Sequence, residues 1–170
     1  MVFVIWMTGL PCSGKSTIAK KLGECIPGLE VFDGDEIGKW ILPKNFGWTR
    51  EERIEATARI AHIVKLLLKH GISVCVSTIT PYKESREIAR KIVNDNRFVE
   101  MYLKCPPQVC EDRDVKGMYK KAKNGEIKDF TGVSAPYDIP TNPDLIIDTE
   151  NCAIEESIRN TWKFYNKGSH

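Results

Sequence analysis

The chain has 170 residues and a mass of 19.3 kDa, enough for one well-packed domain over residues 1–170 and too short for two. With 42% hydrophobic and 28% charged residues it reads as an ordinary soluble globular protein, which excludes a disordered, fibrous or membrane chain. A formal net charge of +2 is by itself too small to suggest a nucleic-acid coat or a polybasic membrane anchor, so any affinity for phosphate must be local.

The first apolar run, VFVIWM at residues 2–7, has no basic segment ahead of it, no cleavage-like site after it and too few residues to span a bilayer. It reads as a buried strand with Trp6 in the core. GLPCSGKST follows at residues 9–17, and a helix is expected from Lys15 to Ile26. GLEVFD, residues 28–33, reads as a second strand ending in the acids of FDGD. A long helix from Arg50 to His70 closes on Gly71, which suits a helix C-cap. His62 and His70 lie on it without a histidine and carboxylate at ligand spacing, so they read as surface or C-terminal charges. Arg59 either faces a substrate or pairs with Glu55 at helical spacing. ISVCVS (72–77), RFVEMYLK (97–104) and DLIID (144–148) complete five strands, with helices at Lys83 to Val93, Gln108 to Asp112 and Ala153 to Tyr165. Trp162 is expected to pack the last helix.

Strands alternating with helices imply an α/β fold, a five-stranded parallel sheet flanked by helices in three layers. Residues 112–141 break the pattern with a lysine- and glycine-rich, then proline-rich run that reads as a basic lid. The six cysteines, at 12, 25, 75, 105, 110 and 152, form no CxxC pair and fit a reduced, cytoplasmic chain rather than a disulfide frame or a zinc site.

The strongest chemical signal is GLPCSGKST, which fits GxxxxGK[ST] between a strand and a helix. Backbone N–H groups over Gly9, Leu10, Pro11, Cys12, Ser13, Gly14, Lys15, Ser16 and Thr17 can wrap phosphate oxygens. Lys15 can reach the β and γ phosphates, and Ser16 can ligate Mg²⁺. A nucleoside triphosphate and Mg²⁺ are therefore the expected ligands of such a loop. No NKxD-type run argues for guanine, and the third strand ends in STITP rather than in an acid. The acids end the second strand instead. Because ligands gather beyond the carboxyl ends of strands in an open α/β sheet, Asp33 and Asp35 are expected beside the phosphate loop. A carboxylate there can hold Mg²⁺ or take the proton of an acceptor hydroxyl. The other use of such a run is a turn and helix N-cap.

GLPCSGKSTIA, VFDGDEI, STITPYKESREIAR, VCEDRDVKGMYKKAKNGEIKDFTG and APYDIPTNPDLIIDT together resemble the adenylyl-sulfate kinases, from about Ile5 to Thr149. That resemblance implies ATP-dependent phosphorylation of the 3′-hydroxyl of adenosine 5′-phosphosulfate, a P-loop kinase fold and a homodimer, with no nucleic-acid or membrane partner. Carried over position by position, it makes Lys15, Asp33 and Arg113 catalytic, with Ser16 and Asp33 on the metal and Arg113 in the lid near ATP. The acceptor nucleotide would meet Asp35, Trp48, Arg53, Thr80, Lys128 and Phe130, with Phe130 one face of a base sandwich. Thr80 stands where the family has a serine, and is read as a substrate-side loop residue. Trp48 replaces a stacking phenylalanine and Ala135 a serine. Glu36 and Gly38 stand where the family has an asparagine and an acceptor-binding arginine, and Ala56 where it has an asparagine. Lys39 is the nearest cation to the missing arginine, but a lysine offers a point charge rather than a bidentate fork. Of the lid lysines, Lys123 reads as a solvated charge, and Lys116, Lys120 and Lys121 are undecided.

Adenylyl-sulfate is the first-choice acceptor. A sister kinase acting on another nucleotide-like alcohol, such as a cytidine diphosphate derivative in surface-polysaccharide chemistry, is the reading that Gly38 and Ala56 motivate. A catalytically silent nucleotide-binding module is the third.

Overall fold

The computed structural model describes residues 2–43 and 46–167. Five strands form one parallel sheet: β1 (Val4–Thr8), β2 (Leu29–Asp33), β3 (Ser73–Ser77), β4 (Phe98–Lys104) and β5 (Leu145–Asp148), in the order β2-β3-β1-β4-β5. β1 is buried along its whole length, which is why VIWMT carries no alternation of apolar and polar residues. It pairs with β3 from Val4 opposite Val74 to Met7 opposite Ser77, and with β4 from Val4 opposite Phe98 to Thr8 opposite Tyr102.

The strand period of two divides the apolar residues between two cores. Val4 and Trp6 point to one face, joining Val74 and Val76. There they meet Ile60, Ala61, Val64 and Leu68 of α3 (Arg50–Lys69) and Ala89 and Val93 of α4 (Lys83–Val93). Phe3, Ile5 and Met7 point to the other, against Ile18, Ala19 and Leu22 of α1 (Lys15–Cys25) and Ile158 and Tyr165 of α7 (Ile154–Lys167). Trp6 is fully buried and stacks near Phe98 with centroids 5.7 Å apart. Trp162, expected to be packed, is 48% exposed at the rim of a shallow apolar recess between α1 and α7. Among the described residues no helix is long and apolar enough to cross a membrane.

Two helices lie where the sequence suggests turn and lid. Residues Gly34–Ile41 form α2, whose one buried side chain, Ile37, joins the first core. After α5 (Pro107–Arg113), residues Met118–Lys123 form α6. Its start is made by Gly117 in the left-handed region, φ +65°, and by the Asp114 carboxylate, which accepts from the backbone N–H groups of Tyr119 (3.0 Å) and Lys120 (3.1 Å). The lid carries a small core of its own, in which Tyr119, Ala122 and Phe130 pack with Cys105 and Cys110 against Leu10 of the phosphate loop.

Candidate active site

β1 delivers the phosphate loop to the carboxyl edge of the sheet, with β3 on one side and β4 on the other. Gly9 passes so close to its neighbours that a Cβ there would meet Ser13 Oγ at 2.7 Å and the Leu103 carbonyl at 2.8 Å. Gly14 ends the loop at φ +96° as the N-cap of α1, and no side chain caps that helix. The first N–H groups of α1 therefore point outward, a ready anion site with the positive end of the helix dipole behind it. Leu10 and Ser13 are buried and belong to the scaffold of the loop, whereas Ser16 and Thr17 are exposed on the first turn of α1. Pro11 presents its carbonyl to the lid, where it accepts from the Tyr119 hydroxyl at 3.1 Å. Cys12 holds φ +62° without being glycine, and its carbonyl faces Arg113.

Lys15 is buried and donates to the Gly9 carbonyl (2.9 Å), the Leu10 carbonyl (2.7 Å) and Ser13 Oγ (3.3 Å). Burial pushes its ammonium pKa down to about 8, and the thiols of Cys110 and Cys12 and the carboxylates of Asp33 and Asp35 work against that shift.

Asp33 ends β2 and is the N-cap of α2: its Oδ1 accepts from the Asp35 N–H at 3.0 Å, while Ser77 Oγ lies 3.5 Å from Oδ2. The cap and the candidate acid are thus one residue. Asp35 lies exposed in the first turn of α2 and forms an ion pair with Lys116, which enters from the lid.

Arg113 closes α5. Its guanidinium donates to the Thr149 carbonyl at 2.6 Å, and reaches the Cys12 carbonyl and Cys105 Sγ, both at 3.5 Å. It therefore ties the phosphate loop to the exit of β5. On the opposite side, a capping box between Thr49 and Glu52 starts α3, and Glu52 also accepts from the Gly47 N–H at 2.9 Å. This fixes the short segment that carries Trp48, which is 55% exposed. Arg53 donates to the Trp48 carbonyl (2.9 Å) and to the carbonyl of Asp129 in the lid (2.7 Å), with its guanidinium 5.4 Å from the Trp48 ring centroid. Arg59 forms the ion pair with Glu55 and also donates to the Ile41 carbonyl at the end of α2 (3.2 Å).

Lys128 is exposed at the lid tip, while Phe130 is buried with its ring edge-on to Tyr119, centroids 5.1 Å apart. Thr80 is 3% exposed at φ +40°. Its hydroxyl accepts from Trp6 Nε1 (3.0 Å) and shares a hydrogen bond with Thr78 Oγ1 (2.7 Å), so it faces inward beneath the loop. Among the described residues, a Cβ at Gly38 would meet only Leu42 Cδ1, at 3.7 Å, so the place of the family's arginine is open to them; Lys39 is exposed beside it and Ala56 is half-buried on α3.

Sequence reasoning missed Arg86. It is 4% exposed and sits 3.2 Å from Glu100, and its other nitrogens donate to the carbonyls of Thr80 (3.2 Å), Pro81 (3.3 Å) and Asp138 (2.7 Å). A signal was present. Arg86 shares a helical stripe with Ala89 and Val93, and an arginine on an otherwise buried stripe announces a partner. The Thr80 loop is further tied to residues 137–138 by Thr8, whose hydroxyl donates to the Ile79 carbonyl (2.7 Å) and lies 2.9 Å from the Tyr137 hydroxyl. All six cysteines are free.

The adenylylsulphate kinase family is matched over residues 1–148. The chain is 46% identical over 159 residues to an adenylyl-sulfate kinase of Staphylococcus epidermidis, spanning 91% of this chain and 79% of that protein. It is 48% identical over 152 residues to the adenylyl-sulfate kinase of Thermodesulfovibrio yellowstonii, spanning 87% and 76%. Its structure superposes on the Mycobacterium tuberculosis APS kinase, solved in complex with AMPPNP and APS, with a TM-score of 0.88 at 37% identity, over 97% of this chain and 98% of that one. By sequence and by structure, the chain belongs to the adenylylsulphate kinase family.

Proposed function

We propose that this protein transfers the γ-phosphoryl group of ATP to the 3′-hydroxyl of adenosine 5′-phosphosulfate. The observation that carries the reading is the convergence of Lys15, Asp33 and Arg113 around one uncapped helix N-terminus, in a chain whose relatives are named for that reaction. ATP phosphates lie along Gly9 to Thr17. The exposed Ser16 hydroxyl and the Asp33 carboxylate are hard oxygen donors that suit Mg²⁺, an ion that needs only one or two protein ligands when phosphates supply the rest. When bound it offsets charge on the phosphate oxygens. Asp33 accepts the proton of the acceptor hydroxyl, the new bond forms between that oxygen and the γ-phosphorus, and the bond to the β–γ bridging oxygen breaks in line. Lys15 and Arg113 hold the charge that develops on the leaving ADP.

The acceptor lies between Trp48 and the lid wall that carries Lys128 and Phe130, with Arg53 joining the two sides. Asp35 stands at its edge, and Thr80 supports it from beneath by orienting the loop. The same reading takes residues 1–170 as one cytoplasmic kinase domain with its lid over 112–141, working as a homodimer. The free thiols support a reducing compartment.

The openness at Gly38 and the methyl group at Ala56 favour a second reading, a different nucleotide-like alcohol as acceptor, because two donors to the phosphosulfate are replaced by groups that donate nothing. ADP release with adenosine phosphosulfate and with a panel of purine and pyrimidine nucleotide derivatives separates the readings. Turnover with another acceptor alone overturns the first. ATP binding without any turnover indicates a silent module. If adenosine phosphosulfate is the acceptor, the double variant Gly38→Arg, Ala56→Asn uses it with lower KM; an unchanged KM refutes the reading of those two positions.

A further inference from the structure

On the basis of the kinase reading, we infer that the Thr78 hydroxyl is a specificity-determining donor to the acceptor. It recognises the sugar hydroxyl next to the one that is phosphorylated, so the site selects a ribonucleotide over its 2′-deoxy counterpart.

A count of protons points Thr78 outward. The indole of Trp6 can only donate, and it donates to Thr80 Oγ1 at 3.0 Å. Thr80 is 3% exposed, and the only other partner of its hydroxyl among the described residues is Thr78 Oγ1, at 2.7 Å. A buried hydroxyl proton needs an acceptor, and Thr78 supplies it. Donation therefore runs from Trp6 to Thr80 to Thr78, and leaves the Thr78 proton at the end of the chain with no acceptor among the described residues. Thr78 is half-buried, so that end is open to a ligand. The hydroxyls beside it are already engaged: Ser77 Oγ faces Asp33 Oδ2 at 3.5 Å, and Thr8 donates to the Ile79 carbonyl at 2.7 Å.

Position decides what the free donor meets. Asp33 and Ser77 stand opposite one another at the ends of β2 and β3, and Thr78 is the next residue. A Cβ at Gly34, the residue after Asp33, would come within 3.1 Å of the Thr78 methyl group. Neighbouring strands lie about 4.8 Å apart, so Asp33 and Thr78 are spaced as two groups that hold adjacent hydroxyls of one sugar. Val74 and Val76 of β3 face α3 in the core that Trp6 shares, and the bond through Thr80 to Trp6 keeps Thr78 on that side. It is the side of Arg53, where the acceptor is proposed to lie. Asp33 takes the proton of the attacking hydroxyl, and Thr78 donates to the oxygen beside it. Anchored on a core indole, the donor is set before the acceptor arrives, which limits the entropy lost on binding.

The test measures kcat/KM of the full chain, with saturating ATP and Mg²⁺, for adenosine 5′-phosphosulfate and for its 2′-deoxy analogue. The parent should prefer the ribonucleotide by about tenfold, the scale of one neutral hydrogen bond. Thr78→Val keeps the shape and removes the donor. It should lower the ribonucleotide value by about tenfold and the deoxynucleotide value by less than about twofold, and Thr78→Ser should restore the preference. An equal loss on both nucleotides would mark Thr78 as a support of the Thr80 loop and overturn the proposal. So would a preference that Thr78→Val leaves intact, or a parent that shows none, a result that needs no variant to fold. A parent that turns over neither nucleotide refutes the kinase reading itself, and the role of Thr78 with it.

Discussion

Replacing Arg86 with methionine, which keeps most of the volume and removes the charge and every donor, tests whether the Thr80 loop is held by a buried ion pair. Glu100 is already pushed above the usual carboxylate range by burial, with Arg86 and Arg90 pulling it back down. Without Arg86 that carboxylate keeps only Arg90, 3.7 Å away, and the carbonyls of Thr80, Pro81 and Asp138 lose their shared donor. Breaking one side of a buried pair costs about 3–5 kcal/mol. The Thr80 carbonyl still accepts from Thr8 Oγ1 (3.2 Å) and the Pro81 carbonyl from the Asp138 N–H (2.8 Å), so the loss of donors falls mainly on the Asp138 carbonyl. Urea unfolding followed by tryptophan fluorescence should therefore show a loss of about 3–5 kcal/mol. The double variant Arg86→Met, Glu100→Gln should be less destabilised than the sum of the two singles, because it removes the uncompensated charge. A loss below about 1 kcal/mol in Arg86→Met would refute the assignment, since that is the scale of an exposed pair.

Two further predictions concern the phosphate side. Lys15 has a folded pKa of about 8 against an ordinary 10.5, so between those values the unfolded chain binds the extra proton and stability rises with pH. Function moves the other way. On the proposed phosphate-binding role of Lys15, kcat/KM for ATP should fall above pH 8 as its ammonium deprotonates, while nucleotide binding near pH 9 takes up protons measurable as a buffer-dependent heat; a flat kcat/KM to pH 10 refutes the assignment. At Asp33, the two roles separate by substitution. Asp33→Ala removes cap and base, costing about 1 kcal/mol of stability and abolishing turnover, whereas Asp33→Asn keeps an oxygen for the Asp35 N–H and loses turnover with most of the stability intact. Activity retained in the asparagine variant would end the proton-acceptor role.

The sheet was legible because its strands are short apolar runs bounded by turn residues, and β1 in particular is buried on both faces. The two unexpected helices were not, and the reasons differ. α2 is eight residues long, holds two glycines and buries one side chain, so it offers no stripe to find; it is set by the Asp33 cap and by Ile37 entering the core. α6 is six residues of mostly lysine-rich sequence, and depends on Asp114 and on Tyr119 and Ala122 meeting a cluster built from the phosphate loop. Local propensity carries little weight at that length. At the site, the phosphate loop and the acids could be placed from sequence because spacing and strand ends suffice. The inward turn of Thr80 could not, since it is set by the indole of Trp6, a partner 74 residues away.

The lid contacts share a feature that no single residue reveals. Tyr119 ties the lid to the phosphate loop, Lys116 to Asp35 of α2, Arg53 on α3 holds Asp129, and Arg113 holds the base of the lid to the exit of β5. On the proposed function, each tie lands on a different part of the site that the two substrates would occupy. Individually such hydrogen bonds contribute about 0.5–1.5 kcal/mol, and the exposed Lys116–Asp35 pair less, so none of them alone decides whether the lid is shut. Closure is then a sum over both substrates' sites. On the proposed function, a nucleotide on the phosphate loop would change one term, and an acceptor that engages Arg53 would change another. On the proposed site assignment, positive coupling between ATP and acceptor binding is the expected outcome: acceptor affinity measured by calorimetry should rise when a β,γ-imido analogue of ATP is bound, and an unchanged affinity would refute it.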